Sequence, residues 1–234
     1  MTAVAADEVM RSGSVVADPD LLLALLADAR LPVGAHTQSA GLEPAVVHGG
    51  VRTTDVPAYL HGRLCTVAAV EAATAVVARH HVLAGLHLAV VEEAWAARTP
   101  SAPLREASRT LGRGYLRMAG RVWPHPLWLG LGRTPPRPLV LGALAALAGL
   151  DAARLVRLCL HDEAATIGAA ALKLLPTDPV DTVTWTLAAH QMAMGLVTDL
   201  AALTDPDDIP AAGAPLSEQH SLLHATTTMR LFHA

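Results

Sequence analysis

Residues 139–176, LVLGALAALAGLDAARLVRLCLHDEAATIGAAALKLLP, read as two helices divided by a stop and a fresh start. The stretch 139–150 is apolar and rich in Ala and Leu, the best helix formers, and it is short of the roughly 20 residues that cross a bilayer. Gly149 supplies a C-terminal stop, Asp151 supplies a capping carboxylate for the next helix, and Pro176 ends that helix at about residue 175. A twelve-residue run apolar on every side belongs in a core, so the first expectation is an all-α protein.

The same punctuation extends outward. Asp178 and Pro179 open a helix over 180–203, followed by DPDD at 205–208, a Pro/Ala/Gly stretch to Pro215 and a last helical segment from Ser217. Toward the N-terminus, residues 104–122 are helical before Trp123-Pro124-His125-Pro126, and 85–98 are helical before Thr99-Pro100. From Thr54 and Asp55 the apolar residues Val56, Tyr59, Leu60, Leu64, Val67 and Val70 keep helical spacing to about residue 83. A first short helix has Asp20 as its cap and stops before Leu31-Pro32-Val33-Gly34. Residues 32–50 hold too many breakers for one element, although 39–47 accommodates a short helix. Nothing alternates cleanly as a strand, and no repeat of 20 to 50 residues stands out.

Composition agrees. The chain has 234 residues, 52% hydrophobic, 16% charged and 3% aromatic, which suits a helical bundle better than a β-sandwich or barrel. The expectation is a single-domain bundle of about eight to ten helices. Residues 1–17 form a mobile lead, 18–216 the helical domain, and 217–234 a C-terminal partner-binding segment behind a flexible linker.

Several function classes fall away. Net charge is −4 and the basic residues are scattered, so the footprint of a phosphate backbone is missing and nucleic acid is not expected as a partner. The only lysine, Lys173, follows Ala-Ala-Leu, so no phosphate loop of the G-x-x-x-x-G-K-[ST] type exists; any nucleotide hydrolysis belongs to a partner. Cys65 and Cys159 are too few for a secreted disulfide framework, and the apolar run 21–27 follows Asp18-Pro19-Asp20 rather than cations. A cytoplasmic protein without a membrane anchor is expected.

Twelve histidines raise the question of metal. His61 with Cys65, and His220 with His224, stand at i, i+4 on helices, which gives half a site each. His80 and His81 diverge by about 100° on a helix and cannot chelate side by side. His161-Asp162 resembles the dipeptide of helical metal-dependent phosphohydrolases, with His80 or His81 and Asp199 as the other ligands; this is the alternative reading. Ser39 lacks a G-x-S-x-G elbow. Leu222, Leu223, Met229, Leu231 and Phe232, beyond the linker, are apolar residues of a segment that docks on a partner or back onto its own core.

Residues 31–43, LPVGAHTQSAGLE, are similar to the LPVGAFSYSQGLE signature of the urease accessory protein UreF family. The resemblance continues through Val46, Val47, Gly50 and Val51, through Arg105-Glu106-Ala107-Ser108 and Leu111-Gly112-Arg113, through Ala170 to Pro176, and through His224 to Phe232 against an H-E-x-x-x-x-R-L-F ending. The chain departs at His36 and Gln38, where the signature has aromatics, at Thr177-Asp178-Pro179 after the proline, and at Ala225 in place of Glu. The resemblance implies a non-catalytic, dimeric, all-α adaptor that binds UreD (also called UreH) and with it recruits the GTPase UreG to apo-urease. Nickel and GTP are then handled by partner proteins, and this chain needs no cofactor of its own. It also implies a tail that becomes ordered on UreD. The residues assigned to partner binding are Gly34, His36, Gln38, Ser39, Gly41, Glu43, Lys173, His224, Arg230, Leu231 and Phe232, with Phe232 as the buried anchor.

Overall fold

A computed structural model describes residues 18–228 and 230–232. The lead 1–17, Met229 and the dipeptide 233–234 lie outside the described residues. Among the described residues every regular element is helical: α1 (Pro19–Leu26), α2 (Leu42–Val47), α3 (Val56–Arg63), α4 (Ala69–Ala84), α5 (Ala89–Arg98), α6 (Ala102–Val122), α7 (Leu127–Gly130), α8 (Arg137–Ala148), α9 (Ala152–Leu174), α10 (Pro179–Ala201) and α11 (Pro215–Thr226).

The punctuation works as the sequence implies, with small displacements. Asp151 accepts the Arg154 N–H at 2.8 Å and Asp178 the Val180 N–H at 2.8 Å, while Gly149 closes α8 at φ +77°. The cap of α1 is Asp18 instead of Asp20, because Pro19 takes the first helical position and Asp18 accepts the N–H groups of Asp20 and Leu21. The helix expected over 54–83 is interrupted by one π turn, Leu64–Ala68, between α3 and α4. The expected helix from 85 starts at Ala89, since Gly85 terminates α4 at φ +68°.

Two helix pairs make the core: α4 against α8 and α9 against α10, with α6 on α8 and α9 on α4. Leu139, Leu141 and Leu144 of α8 are each at most 1% exposed, and burial of each contributes about 1.5–3 kcal/mol. The α4–α8 crossing is tight because its contact residues are small. A Cβ on Gly142 would stand 2.3 Å from the Ala75 carbonyl oxygen and 2.8 Å from the Ala78 Cβ, so backbone rather than side chain meets backbone there. The helical stretch Thr53–Ala84 is long and apolar enough to cross a membrane, and its most apolar window is 67% buried inside the bundle, as in a core helix.

The C-terminal region makes specific contacts with the bundle. Arg98 donates to the carbonyls of Asp207 (2.8 Å) and Ile209 (2.6 Å), and Ile209 is buried, so the residues that lead into the Pro/Ala/Gly stretch are held against α5. Helix α11 packs on α2 and α6, with Ser221 Oγ 2.7 Å from Ser101 Oγ. The polar turn residues were a fair sign of a loop; what fixes the loop is a guanidinium more than a hundred residues earlier in sequence.

Gly142→Ala should destabilise the chain by about 1–3 kcal/mol, because neither backbone can yield without separating α4 from α8. Urea unfolding followed by circular dichroism measures this as a lowered midpoint with unchanged slope.

Candidate functional site

The signature segment 31–43 is built around two left-handed glycines. Gly34 at φ +87° opens a single 3-10 turn (Ala35–Thr37), and Gly41 at φ +74° opens α2. Ala40 also has positive φ, +51°, and its carbonyl accepts a hydrogen bond from Tyr59 Oη at 2.8 Å. That bond helps hold a conformation that non-glycine residues rarely adopt. Ser39, fully buried, accepts the Glu43 N–H at 3.3 Å, and Gln38 is buried beside it while His36 stays exposed.

Glu43 is where the segment meets the far end of the chain. Its carboxylate is 5% exposed as a residue and accepts two backbone N–H groups, Leu231 on Oε1 at 2.7 Å and Phe232 on Oε2 at 3.0 Å. Hydrogen bonds to a charged acceptor contribute about 1.5–3 kcal/mol each. His224 Nε2 stands 3.7 Å from the same carboxylate; burial lowers the His224 pKa against the pull of Glu43. Phe232 is 4% exposed and lies under Lys173, whose Nζ is 4.9 Å from the ring centroid. Arg230 and Leu231 remain exposed.

The structure therefore brings Gln38, Ser39, Gly41, Glu43, Lys173, His224, Leu231 and Phe232 into one locality, with His36 and Arg230 exposed and Gly34 at the turn that leads into it. Phe232 is an anchor inside its own chain, which is the docking of the segment onto its own core.

Beneath the clamp lies a cavity of about 250 Å³ lined by charged side chains that the sequence reading did not single out. Arg63 pairs with Glu163 at 2.6 Å, both nearly inaccessible. Glu71 accepts from Trp95 Nε1 and Ser108 Oγ at 3.0 Å each, with Arg137 Nε 3.8 Å away. Burial raises the Glu71 pKa despite these partners, and pushes Asp162 up to about 6 against the attraction of Arg137. The signal in sequence was a charge on an apolar stripe: Arg63 interrupts the run of Leu60, Leu64 and Val67, and Glu71 interrupts a run of Ala and Val. The π turn completes the arrangement. Positions 63 and 71 are about 80° apart on a regular helix, and one extra residue in the turn reduces this to about 20°, so both face the cavity.

The other histidine and cysteine pairs disperse. His61 Nε2 is 3.8 Å from Cys65 Sγ while its Nδ1 faces Met192 Sδ at 2.8 Å. His81 Nδ1 lies 2.9 Å from the His87 carbonyl, and His220 abuts Gly49 rather than sharing a ligand point with His224. His161 turns to His190, whereas Asp162 points inward to Tyr115 and Arg137. The dipeptide does not converge as the hydrolase alternative requires, and no three His, Cys, Asp or Glu among the described residues form a group able to hold a metal ion.

Glu43→Gln keeps the shape but leaves one acceptor for two N–H groups. The amides of Leu231 and Phe232 should then exchange with deuterium faster by roughly tenfold or more, while the α9 core is unchanged. Comparison with known proteins places the chain in a family. The UreF family model matches residues 51–204. The chain is 37% identical over 190 residues to the urease accessory protein UreF of Mycobacterium sp. (strain JLS), covering 79% of this chain and 88% of that one. It is 34% identical to the UreF of Mycobacterium marinum (strain ATCC BAA-535 / M), over 79% and 89% of the two chains. It is 37% identical over 194 residues to that of Mycobacterium tuberculosis (strain ATCC 25618 / H37Rv), with the same coverage. The chain belongs to the UreF family of urease accessory proteins, a non-catalytic family.

Proposed function

We propose that this chain is a cytoplasmic adaptor that binds UreD and, with it, recruits the GTPase UreG to apo-urease so that nickel reaches the urease active site. The observation that carries the reading is the Glu43 clamp, which joins the signature loop and the C-terminal segment into one continuous surface. Both stretches carry the family resemblance, and they are 188 residues apart in sequence. Phe232 and Glu43 set the shape of this surface from inside; His36, Arg230 and Leu231 are what it offers outward. Arg230 supplies the guanidinium chemistry that is enriched among interface anchors, and Leu231, 70% exposed beside it, adds apolar area. Nickel is cargo and GTP is the substrate of UreG, so no cofactor is assigned to this chain.

The adaptor acts as a homodimer in this reading. Support comes from α10, whose outward face presents Val180, Val183, Leu187 and Met194, each 59–73% exposed, over nearly the whole helix without a charge in the stripe. An uncharged apolar face of that length fits a second copy of itself.

Leu231→Asp should abolish co-purification with UreD while the thermal midpoint moves by less than about 1 °C, since an exposed side chain far from the core carries little stability. Retained binding would rule out this surface. Separately, Leu187→Asp with Met194→Asp should convert a dimer to a monomer by analytical ultracentrifugation and leave circular dichroism unchanged.

A further inference from the structure

One side-chain pair serves neither the clamp, the cavity nor the adaptor surface. His161 on α9 and His190 on α10 reach across the seam between the two helices, with Nδ1 of His161 3.0 Å from Nε2 of His190 and ring centroids 5.2 Å apart at 46°. Among the described residues, each ring has the other within hydrogen-bond distance. His161 is half-buried and His190 is exposed. Burial lowers the pKa of both rings, and His161 further lowers that of His190.

Two neutral imidazoles at this separation have the geometry of a chelate. With metal–nitrogen bonds of about 2.0–2.1 Å, two ligands at a right angle stand about 3.0 Å apart and two tetrahedral ligands about 3.4 Å. The observed 3.0 Å matches the first, so an ion is admitted by a rotation of the exposed His190 ring and no backbone shift. In the bound tautomer each ring keeps its proton on the nitrogen turned away, His161 Nε2 and His190 Nδ1, so neutral rings lose no net proton on binding. The donor set is nitrogen only, which suits first-row transition ions and disfavours Mg²⁺ and Ca²⁺, whose ligands are oxygens.

We propose that His161 and His190 form a bidentate site for a first-row divalent transition ion, Zn²⁺ or Ni²⁺, with water in the remaining positions. Both protein ligands come from one chain, and His190 stands at helical spacing between Leu187 and Met194 on the outward face of α10. The site differs from the pairs legible in sequence because its ligands come from two helices, 29 residues apart, which no i, i+4 spacing reports.

Isothermal titration of the full chain with ZnCl₂, and separately NiCl₂, at pH 7.5 tests this, with the molecular mass measured at both ends of the titration. The chain should bind one ion more than either His161→Ala or His190→Ala, or bind it roughly tenfold or more tightly. His61→Ala and His220→Ala should keep that ion, and MgCl₂ should give no binding. His190 is exposed, so His190→Ala should keep the thermal midpoint of the parent chain and its loss of the ion cannot be ascribed to unfolding. Equal stoichiometry and affinity in the parent and His190→Ala, no binding of either ion at millimolar concentration, or one ion per two chains would each overturn the site.

Discussion

A single carboxylate carries the surface on which the adaptor reading depends. Glu43 sits at the start of a six-residue helix that could not stand alone in water, and it accepts the N–H groups of two residues from the other end of the chain. A buried carboxylate without partners costs several kcal/mol, so the segment that supplies them and the loop that positions Glu43 stabilise one another. Ser39, Gly41 and Tyr59 shape the loop so that the carboxylate points where Leu231 and Phe232 arrive. Lys173 then closes the arrangement from α9 by resting its ammonium over the Phe232 ring.

Under that clamp the bundle departs from the apolar interior that its composition implies. Arg63, Glu71, Arg137, Asp162 and Glu163 face a shared cavity, in which Arg63 Nη1 and Arg137 Nε are left without hydrogen-bond partners. Replacing such a group by well-packed apolar residues is often neutral or stabilising, whereas removing one partner strands the other charge. Stability alone therefore does not account for the cluster. Its pairs join separate helices, Arg63 of α3 with Glu163 of α9 and Glu71 of α4 with Arg137 of α8.

How much of this was legible depended on whether the determining contact was local. Helix ends were readable because caps are local: Gly149, Asp151, Asp178 and Pro179 act within a turn of themselves. The signature 31–43 was readable as a unit because its residues are contiguous, and its two glycines do take the positive φ that the turn needs. The π turn at Leu64–Ala68 left no mark in the local pattern, and the partners of the charges it brings round, Arg63 and Glu71, stand on other helices. The C-terminal segment was read as a tether from Pro, Ala and Gly content, yet Arg98 and Glu43 hold it, and neither is near it in sequence. The pairing of His161 was misjudged for the same reason: Asp162 is its neighbour in sequence but turns inward, while His190 meets it across the seam.

The stretch Thr53–Ala84 has a further consequence, in how the protein is made. It emerges during synthesis well before α8, α9 and α10, which later cover it, so its apolar surface is without those partners until they are made. Arg63 and Glu71 stand within it, and a charge near the middle of an inserting helix costs about 2.5–3.5 kcal/mol. The side chains that later line a cavity are thus also charges that an apolar stretch of this length carries against burial in a bilayer.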